Sequence, residues 1–594
     1  MPASAWLNFG LFNYCIWVIG PSMQKKWNIC QPDADRVKRL SARLGCHPIT
    51  AAILINRKLT SADKASLFLK TSLNQMRPPF DLKDMNAAVD RICRAIQGRE
   101  KMLIFGDYDV DGISATAVLF EFLQTAGADV TTYIPHRILE GYSLQPHHIE
   151  NVALPNRIQL IITADCGSGS TSALTAAATM GIDVVVTDHH EISKNIPPAV
   201  AVLNPKRLDC SAGMEALAGV GVAFALVIAL RKQLRHERFW KDRWQPNLKR
   251  FCDLVALGTI GDMVPLVDEN RIFAKTGLSL INAAKRPGIN ALLAVAGISQ
   301  QPVNAEDIAF RLVPRLNAAG RMDHASQALQ LLMTQDTGEA NQLAQTLDEL
   351  NRQRRELEQS ILNAILADFK HRRDLLAARS LVRWNPGWHL GVLGIVASRL
   401  VDIYYRPVVL IAVQNQVGKG SARSIPGLDL NAALRECRHL LEDFGGHSMA
   451  AGLTIRMENL IDFQRAFEQV VSQMAHPDDA IQKLTIDSEI SFDDITANLM
   501  DEIETMSPFG IQNPEPLFMA RNINVLSSKI VGQNHRKMRL CQGDSRSAKP
   551  INAICFNAAG NLLSASSFAR LAFRLRWNRW NGNQSVQLIV EDAQ

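Results

Sequence analysis

A chain of 594 residues with 47% hydrophobic and 21% charged residues has the make-up of folded protein and the length of roughly four domains. Gly (35) and Pro (25) are too few and too dispersed for a collagen-like repeat or a long linker, and wholesale disorder or a disulfide-stapled miniature is likewise excluded. Lys and Arg number 64 against 58 Asp and Glu, a formal charge of +6 that permits a nucleic-acid partner without arguing for one.

In chain order, residues 1–30 form an extension whose first 24 residues carry no charge. Its apolar stretch Leu11 to Ile19 is too short to span a bilayer and lacks a basic flank, so it reads as an extension or an upstream start rather than a signal peptide. Residues 31–95 read as small helices: Asp33 to Leu44, Ala62 to Leu69 and Leu82 to Ile96 space their apolar positions helically. Within 96–324, apolar strand candidates (Lys101–Phe105, Val130–Ile134, Ile158–Thr163, Val184–Thr187) alternate with helical stretches such as Ile113–Thr125 and Ser170–Met180. That alternation predicts a parallel sheet covered on both faces. Val220–Leu230 is long enough only for a buried helix.

Residues 325–380 read as a connecting helix. No Gly or Pro occurs from Glu339 through Asn385, and Leu343, Leu347, Leu350, Leu357, Ile361 and Phe369 supply one apolar side. A spacer between domains and a helix packed on its own domain are equally compatible with that pattern. A second α/β unit spans 381–465, with a strand at Val408–Val413. Residues 466–594 favour strands: Leu571, Phe573, Leu575 and Trp577 alternate with polar residues, Asn581-Gly582 follows, and then Val586–Val590, which is a hairpin and suggests a small β-barrel. Ten cysteines without a CxxC spacing read as reduced, buried residues of a cytoplasmic protein, and no zinc or iron–sulfur pattern occurs.

The chemistry concentrates where strands end. Gly106-Asp-Tyr-Asp-Val-Asp-Gly112 sets three aspartates at alternate positions directly after the Lys101–Phe105 strand. Crowded carboxylates are costly unless a cation neutralises them. An EF-hand loop needs a longer spaced set with a terminal Glu, which is absent. The pattern recurs: Ile161-Ile-Thr-Ala-Asp165, Val184-Val-Val-Thr-Asp188-His189-His190 and Leu254–Asp262 each read as an apolar strand ending in Asp. In a parallel sheet such ends share one edge, where ligands bind. Aspartate oxygens plus one imidazole suit a two-ion Mg²⁺ or Mn²⁺ site able to activate water and steady a phosphoryl oxygen. Cys166 beside them reads as a packing residue.

The stretches GDYDVDG, TADCG, TDHH and ALGTIGDMVPL resemble the four motifs of the DHH phosphoesterase superfamily, in its single-strand DNA exonuclease branch. Further similar elements are Pro314–Arg321, Trp388–Arg399, Gly418–Ser424, Gly445–Gly452, Pro508–Gly510 and Pro514–Pro516. The resemblance covers nearly everything after residue 50. It implies an α/β fold: a parallel-sheet DHH catalytic domain, a connecting helix, a second α/β DHHA1 nucleic-acid-binding domain and a C-terminal OB-like barrel. It implies that Asp109, Asp111, Asp165 (bridging), His189 and Asp262 bind metal, with Asp107 at the entry to the first metal position. Asp188 orients a neighbouring ligand and His190 faces the scissile phosphate.

The implied activity is metal-dependent 5′→3′ hydrolysis of single-stranded DNA to 5′-mononucleotides in repair and recombination. It would be carried out by a cytoplasmic monomer without a membrane role, beside a helicase and a single-strand-binding protein. Inside the matched motifs, Arg315, Asn317, Arg321, Arg399, Arg423, Ser424, Gly445, Gly446 and His447 are expected to contact phosphate, since guanidinium matches phosphate in a fork and glycine lets amides approach an anion. On the barrel, Arg536, Lys537, Arg574, Arg576 and Trp580 are candidates for backbone and base contact, with Phe573 and Trp577 expected in the core because alternation turns them away from Arg574 and Arg576. The alternatives are a phosphoesterase for short oligonucleotides or nucleotide bisphosphates, and a non-catalytic DNA-binding scaffold.

Overall fold

The computed structural model describes residues 25–298, 302–474, 476, 481–532, 534–543, 550–580 and 583–594; the uncharged opening of 24 residues and the Asn581-Gly582 turn lie outside them. The chain forms two compact units. Of the described residues, the first gathers 32–351 with 497–515; the second gathers 25–31 with 352–496 and 516–594.

The first unit is built on a five-stranded, all-parallel sheet: β1 (Lys101–Gly106), β2 (Asp129–Tyr133), β3 (Leu160–Ala164), β4 (Asp183–Thr187) and β5 (Ala201–Leu203), in the order β2-β1-β3-β4-β5. Strand alternation sends Met102 and Ile104 into one apolar layer and Leu103 and Phe105 into the other, so β1 is apolar along its length after Lys101. The chain leaves β1, adds β2 on one side, and returns to place β3 on the other. That reversal opens a crevice at the carboxyl ends of β1 and β3, where ligands of such sheets bind.

Three helices border this edge: α1 (Val110–Thr125), α2 (Gly219–His236) and α3 (Cys252–Gly261). The expectation of a strand at Leu254–Asp262 is corrected by α3. Leu254–Ile260 is buried on every side, and an all-round apolar run suits an enclosed helix as well as an enclosed strand. The buried Arg286 guanidinium donates to Asp253 of α3 and Glu121 of α1 and ties the two helices together. The small N-terminal helices Ala34–Leu44, Pro48–Asn56 and Ala62–Leu69 close over Leu40, Ala51, Leu54 and Ala65.

Helix α4 (Thr337–His371) is continuous for 35 residues. Ala340, Ala344 and Leu347 are buried in its first half and Ile361, Leu362, Ile365 and Phe369 in its second, so it packs at both ends; Leu357, between them, is 37% exposed. The second unit holds a mixed sheet of β6 (Leu381–Asn385), β7 (Val408–Gln414), β8 (Val417–Arg423), β9 (Leu441–Gly446) and β10 (Ala450–Arg456), ordered β9-β10-β8-β7-β6.

It also holds β11 (Phe518–Val531), β12 (His535–Gln542), β13 (Ile551–Cys555), β14 (Ser567–Trp580) and β15 (Asn583–Ala593). Pairing of β11 with β14 closes these five into a barrel. β14 and β15 pair antiparallel through Trp580 and Asn583, as the hairpin pattern predicts. Phe573 is buried in the barrel, and Trp577 is half-buried. Two contiguity expectations differ from the chain's packing: Lys26–Ile29 pairs with Lys483–Ile486 in the second unit, and 497–515 packs in the first. No helix among the described residues is long and apolar enough to cross a membrane.

Candidate metal centre

Successive strands of the first sheet end in aspartate. The Asp107 amide donates to Ala164 O, the Asp165 amide to Thr187 O and the Asp188 amide to Leu203 O, so each residue extends the ladder one step and the three carboxyl groups stand in a row on one edge. Asp109 caps α1, its Oδ1 accepting from Asp111 N (2.9 Å) and Gly112 N (3.2 Å). Asp111 turns inward and accepts from Gly219 N (2.7 Å) and Val220 N (3.0 Å) at the start of α2. Asp165 sits at φ +65°, a left-handed conformation that few residues other than Gly, Asn and Asp adopt readily, and is buried. Asp262 caps the end of α3.

These residues converge on a single imidazole. His189 Nε2 lies 3.2 Å from Asp165 Oδ1, 3.5 Å from Asp262 Oδ2 and 3.9 Å from Asp111 Oδ2. Three linked donor sets result: Asp107, Asp109 and Asp165; Asp165, His189 and His190; and Asp111, His189 and Asp262. His189 Nε2, Asp165 Oδ1 and Asp107 Oδ1 are buried without a hydrogen-bond partner. Burial and the neighbouring His190 push the His189 imidazole down to about 3, so it is neutral and aims a lone pair at carboxylates. A divalent cation between them satisfies such a set, and oxygen donors with one imidazole suit Mg²⁺ or Mn²⁺.

Asp188 does not join these sets. It accepts from Ser168 N, His189 N, His190 N and His190 Nδ1 (2.8 Å), so it orients the two histidines. Burial opposes its charge, but the hydrogen bond and charge of His190 outweigh it and hold the carboxyl well below the usual carboxylate range. Burial likewise opposes a charge on His190, and the Asp188 bond reverses that and raises its pKa. Cys166 is buried, its thiol on Phe105 O.

Several further residues support the cluster. Gly112, Gly219 and Gly258 are cradles: a Cβ on each would stand 2.7 Å from Asp107 Cβ, 2.2 Å from Asp165 Oδ1 and 2.6 Å from Asp111 Oδ1, respectively. Asn204 Nδ2 donates to Ser168 Oγ and His190 O. The Tyr142 hydroxyl lies 3.3 Å from both ring nitrogens of His190, and Arg137 stacks over Tyr108. Asn317, expected on phosphate, accepts Val110 N (2.8 Å) with its Oδ1 and so fixes the aspartate loop.

The remaining nucleic-acid candidates divide. Arg315 pairs with Asp348 (2.8 Å), Arg399 with Glu358 (2.5 Å) and Arg574 with Glu591 (2.9 Å). Arg423 donates to Ser421 Oγ and Ala422 O. The reading of Arg536 as a DNA contact is corrected: it is 3% exposed and donates to Leu562 O, Ala565 O and Ser528 Oγ, because strand alternation turns it inward with Met538. Ser424 is corrected too; it is buried, with its hydroxyl on Leu428 O. Gly445, Gly446 and His447 are exposed at the β9–β10 turn, Arg321, Lys537 and Arg576 are half-buried, and the side chain of Trp580 lies outside the described residues.

Burial first, and then the like charges of neighbouring aspartates, push Asp107, Asp111, Asp165 and Asp262 above the ordinary carboxylate range, Asp111 to about 7. A carboxyl whose pKa is higher folded than unfolded (about 4) stabilises the fold in its protonated form, and that contribution is lost as pH rises through the folded value. The metal-free chain is therefore expected to melt at progressively lower temperature from about pH 5 to pH 8, and Mn²⁺ to raise the melting temperature more at pH 8 than at pH 5. Thermal melts with chelator and with Mn²⁺ check this; an Mn²⁺ shift independent of pH contradicts it.

Three family profiles match the chain: "DHH family, N-terminal domain" over 101–259, "DHHA1 domain" over 376–473 and "RecJ OB domain" over 486–592. The chain is 36% identical to the single-stranded-DNA-specific exonuclease RecJ of Bacillus subtilis (strain 168), over 96% of this chain and 70% of that protein. It is 35% identical to that of Escherichia coli (strain K12), over 96% and 99%. The crystal structure of RecJ in complex with Mn²⁺ from Thermus thermophilus superposes with a TM-score of 0.79 at 29% identity, covering 96% of this chain and 79% of that one. With that similarity covering 96% of the chain, and 99% of the Escherichia coli protein, the chain belongs to the RecJ family.

Proposed function

We propose that the chain is a metal-dependent exonuclease that hydrolyses single-stranded DNA from the 5′ end and releases 5′-mononucleotides. The observation that carries this reading is the neutral His189 Nε2 aimed at Asp165, Asp262 and Asp111 in a buried carboxylate cluster. Asp107, Asp109, Asp111, Asp165, His189 and Asp262 would hold the cations, with Asp165 linking the Asp107–Asp109 side to His189. Mg²⁺ or Mn²⁺ bound there supplies Lewis acidity toward a phosphoryl oxygen and acidifies a water. Asp188 keeps His190 Nδ1 engaged and its ring partly exposed at the cluster's rim, where the imidazolium steadies the scissile phosphate or protonates the departing 3′ oxygen. One P–O bond to the 3′ oxygen breaks, one to water forms, and the released nucleotide keeps its 5′ phosphate.

Within the second unit, the exposed β9–β10 turn, Arg423 and the outer face of the barrel are the surfaces offered to the strand, and Arg321 is the candidate in the first. A barrel of this kind favours a polymer over a dinucleotide or bisphosphate substrate. The setting is DNA repair and recombination in the cytoplasm, with the protein acting as a monomer beside a helicase and a single-strand-binding protein.

Polarity is tested with 40-nucleotide strands labelled at either end, in Mn²⁺. The 5′-labelled strand is expected to release labelled mononucleotide from the first turnover, while the 3′-labelled strand shortens as a ladder and blunt duplex is cut at least about tenfold more slowly than single strands. Mononucleotide released first from the 3′ label refutes the polarity, and dinucleotides cut faster than the 40-mer favour the short-substrate alternative.

A further inference from the structure

The twenty residues from Arg231 to Arg250 carry eight Lys or Arg against Glu237 and Asp242, a net charge equal to that of the whole chain. They form the last turns of α2, a turn through Arg238 at φ +59°, and the lead into α3. Buried basic side chains of this unit are matched, as Arg91 with Glu100 and Asp183, Arg207 with Asp84 and Asp209, and Arg286 with Asp253. Here Arg250 alone pairs with a carboxylate (Glu121, 3.2 Å) among the described residues. Lys232, Arg235, Arg238, Lys241, Arg243 and Lys249 are exposed. Trp244 stands among them 62% exposed, whereas Trp240 is buried.

Cations near helix C-termini have an ordinary explanation, and it covers Arg235 in the last turn of α2 and Arg243, whose Nη1 reaches the Ala126 carbonyl ending α1. It leaves Arg238, Lys241, Lys249 and the Trp244 ring unexplained. Unpaired guanidinium and ammonium groups around an exposed indole are the chemistry of a surface that follows a phosphate backbone and stacks a base.

Helix α2 begins at Asp111 and its 18 residues span roughly 27 Å. The lobe abuts Gln97, just before β1, and Ala126, at the end of α1, so it lies at the opposite end of the sheet from the metal centre. We infer that this lobe is a second single-strand-binding surface, which holds substrate DNA far from the cleaved end. The inference rests on the proposed activity for its substrate. The lobe retains long strands between cleavage events and contributes nothing to strands too short to reach it.

The test compares wild type with an Arg238→Glu, Lys241→Glu, Trp244→Ala variant on an 8-mer and a 60-mer of oligothymidylate. Affinity is read by fluorescence anisotropy in EDTA and turnover in Mn²⁺. The variant is expected to bind the 60-mer about tenfold more weakly, with a salt slope shallower by about 0.7 per lost phosphate contact, while kcat and affinity on the 8-mer stay unchanged. Trp244→Ala alone, at an exposed position, is expected to weaken the 60-mer about fivefold and serves if the triple variant misfolds. An unchanged 60-mer affinity, or equal losses on both lengths, overturns the inference. So does binding of wild type to phosphatidylserine vesicles that the variant loses while its DNA affinity is intact. If wild type degrades neither strand, the proposed activity fails, and the anisotropy comparison still decides the lobe.

Discussion

Asp165→Ala is expected to lower DNA hydrolysis by roughly a thousandfold or more while leaving the fold in place. Asp165 is the carboxylate shared between the Asp107–Asp109 side and the His189 side of the cluster, and its Oδ1 is buried 3.2 Å from His189 Nε2 with no hydrogen bond to hold it. Removing it takes one ligand from the Asp107–Asp109 set and one from the set it forms with His189 and His190. It also removes a buried group that repels its neighbours when no metal is bound, which offsets the strain of Ala at φ +65°, so the metal-free variant is expected to melt close to the wild-type temperature at pH 8. Loss of activity without loss of stability separates a functional carboxylate from a structural one. Circular dichroism melts and single-turnover rates on a labelled strand check both halves; a variant retaining a tenth of wild-type turnover contradicts the assignment.

Gly219→Ala is expected to cost a hundredfold or more in kcat although no functional group is removed. A Cβ at 219 would stand 2.2 Å from Asp165 Oδ1 and 2.6 Å from Asp165 Cβ, and the Gly219 amide also holds Asp111 at 2.7 Å. Neither carboxylate has room to yield, because Asp165 is enclosed and Asp111 is fixed by two amides. Overpacking of this kind costs about 1–3 kcal/mol and is relieved by moving the ligands, of which a two-ion site tolerates little. The loss should therefore fall on kcat and on the Mn²⁺ concentration giving half-maximal rate, with KM for DNA nearly unchanged and partial rescue by excess Mn²⁺. Wild-type kcat and Mn²⁺ response in the variant would show that the cradle has slack.

The parallel sheet was legible because enclosure on both faces forces strands such as Leu160–Ala164 to be apolar throughout, and because each ends in a polar residue at the open edge. The same enclosure made Leu254–Ile260 misleading, since a helix surrounded by α1, α2 and its other neighbours is also apolar throughout; Asp262 reaches the cluster as a helix cap. Arg536 misled for a different reason. Its neighbours in sequence are basic, but the carbonyls that engage it belong to Leu562 and Ala565, a separation that no local pattern reports. Asn317 is similar: its partner, Val110 N, lies 207 residues away. The glycine cradles were invisible because a sequence carries no record of the space around a missing Cβ.

The central claim is that distant carboxylates and one imidazole meet to hold a pair of divalent ions. Counting the Mn²⁺ bound per chain, by electron paramagnetic resonance titration at pH 8 without DNA, tests it most directly. Two ions on wild type, with at least one lost in Asp165→Ala, is the predicted result. Wild type binding none, or Asp165→Ala binding the same number with the same affinity, would contradict it.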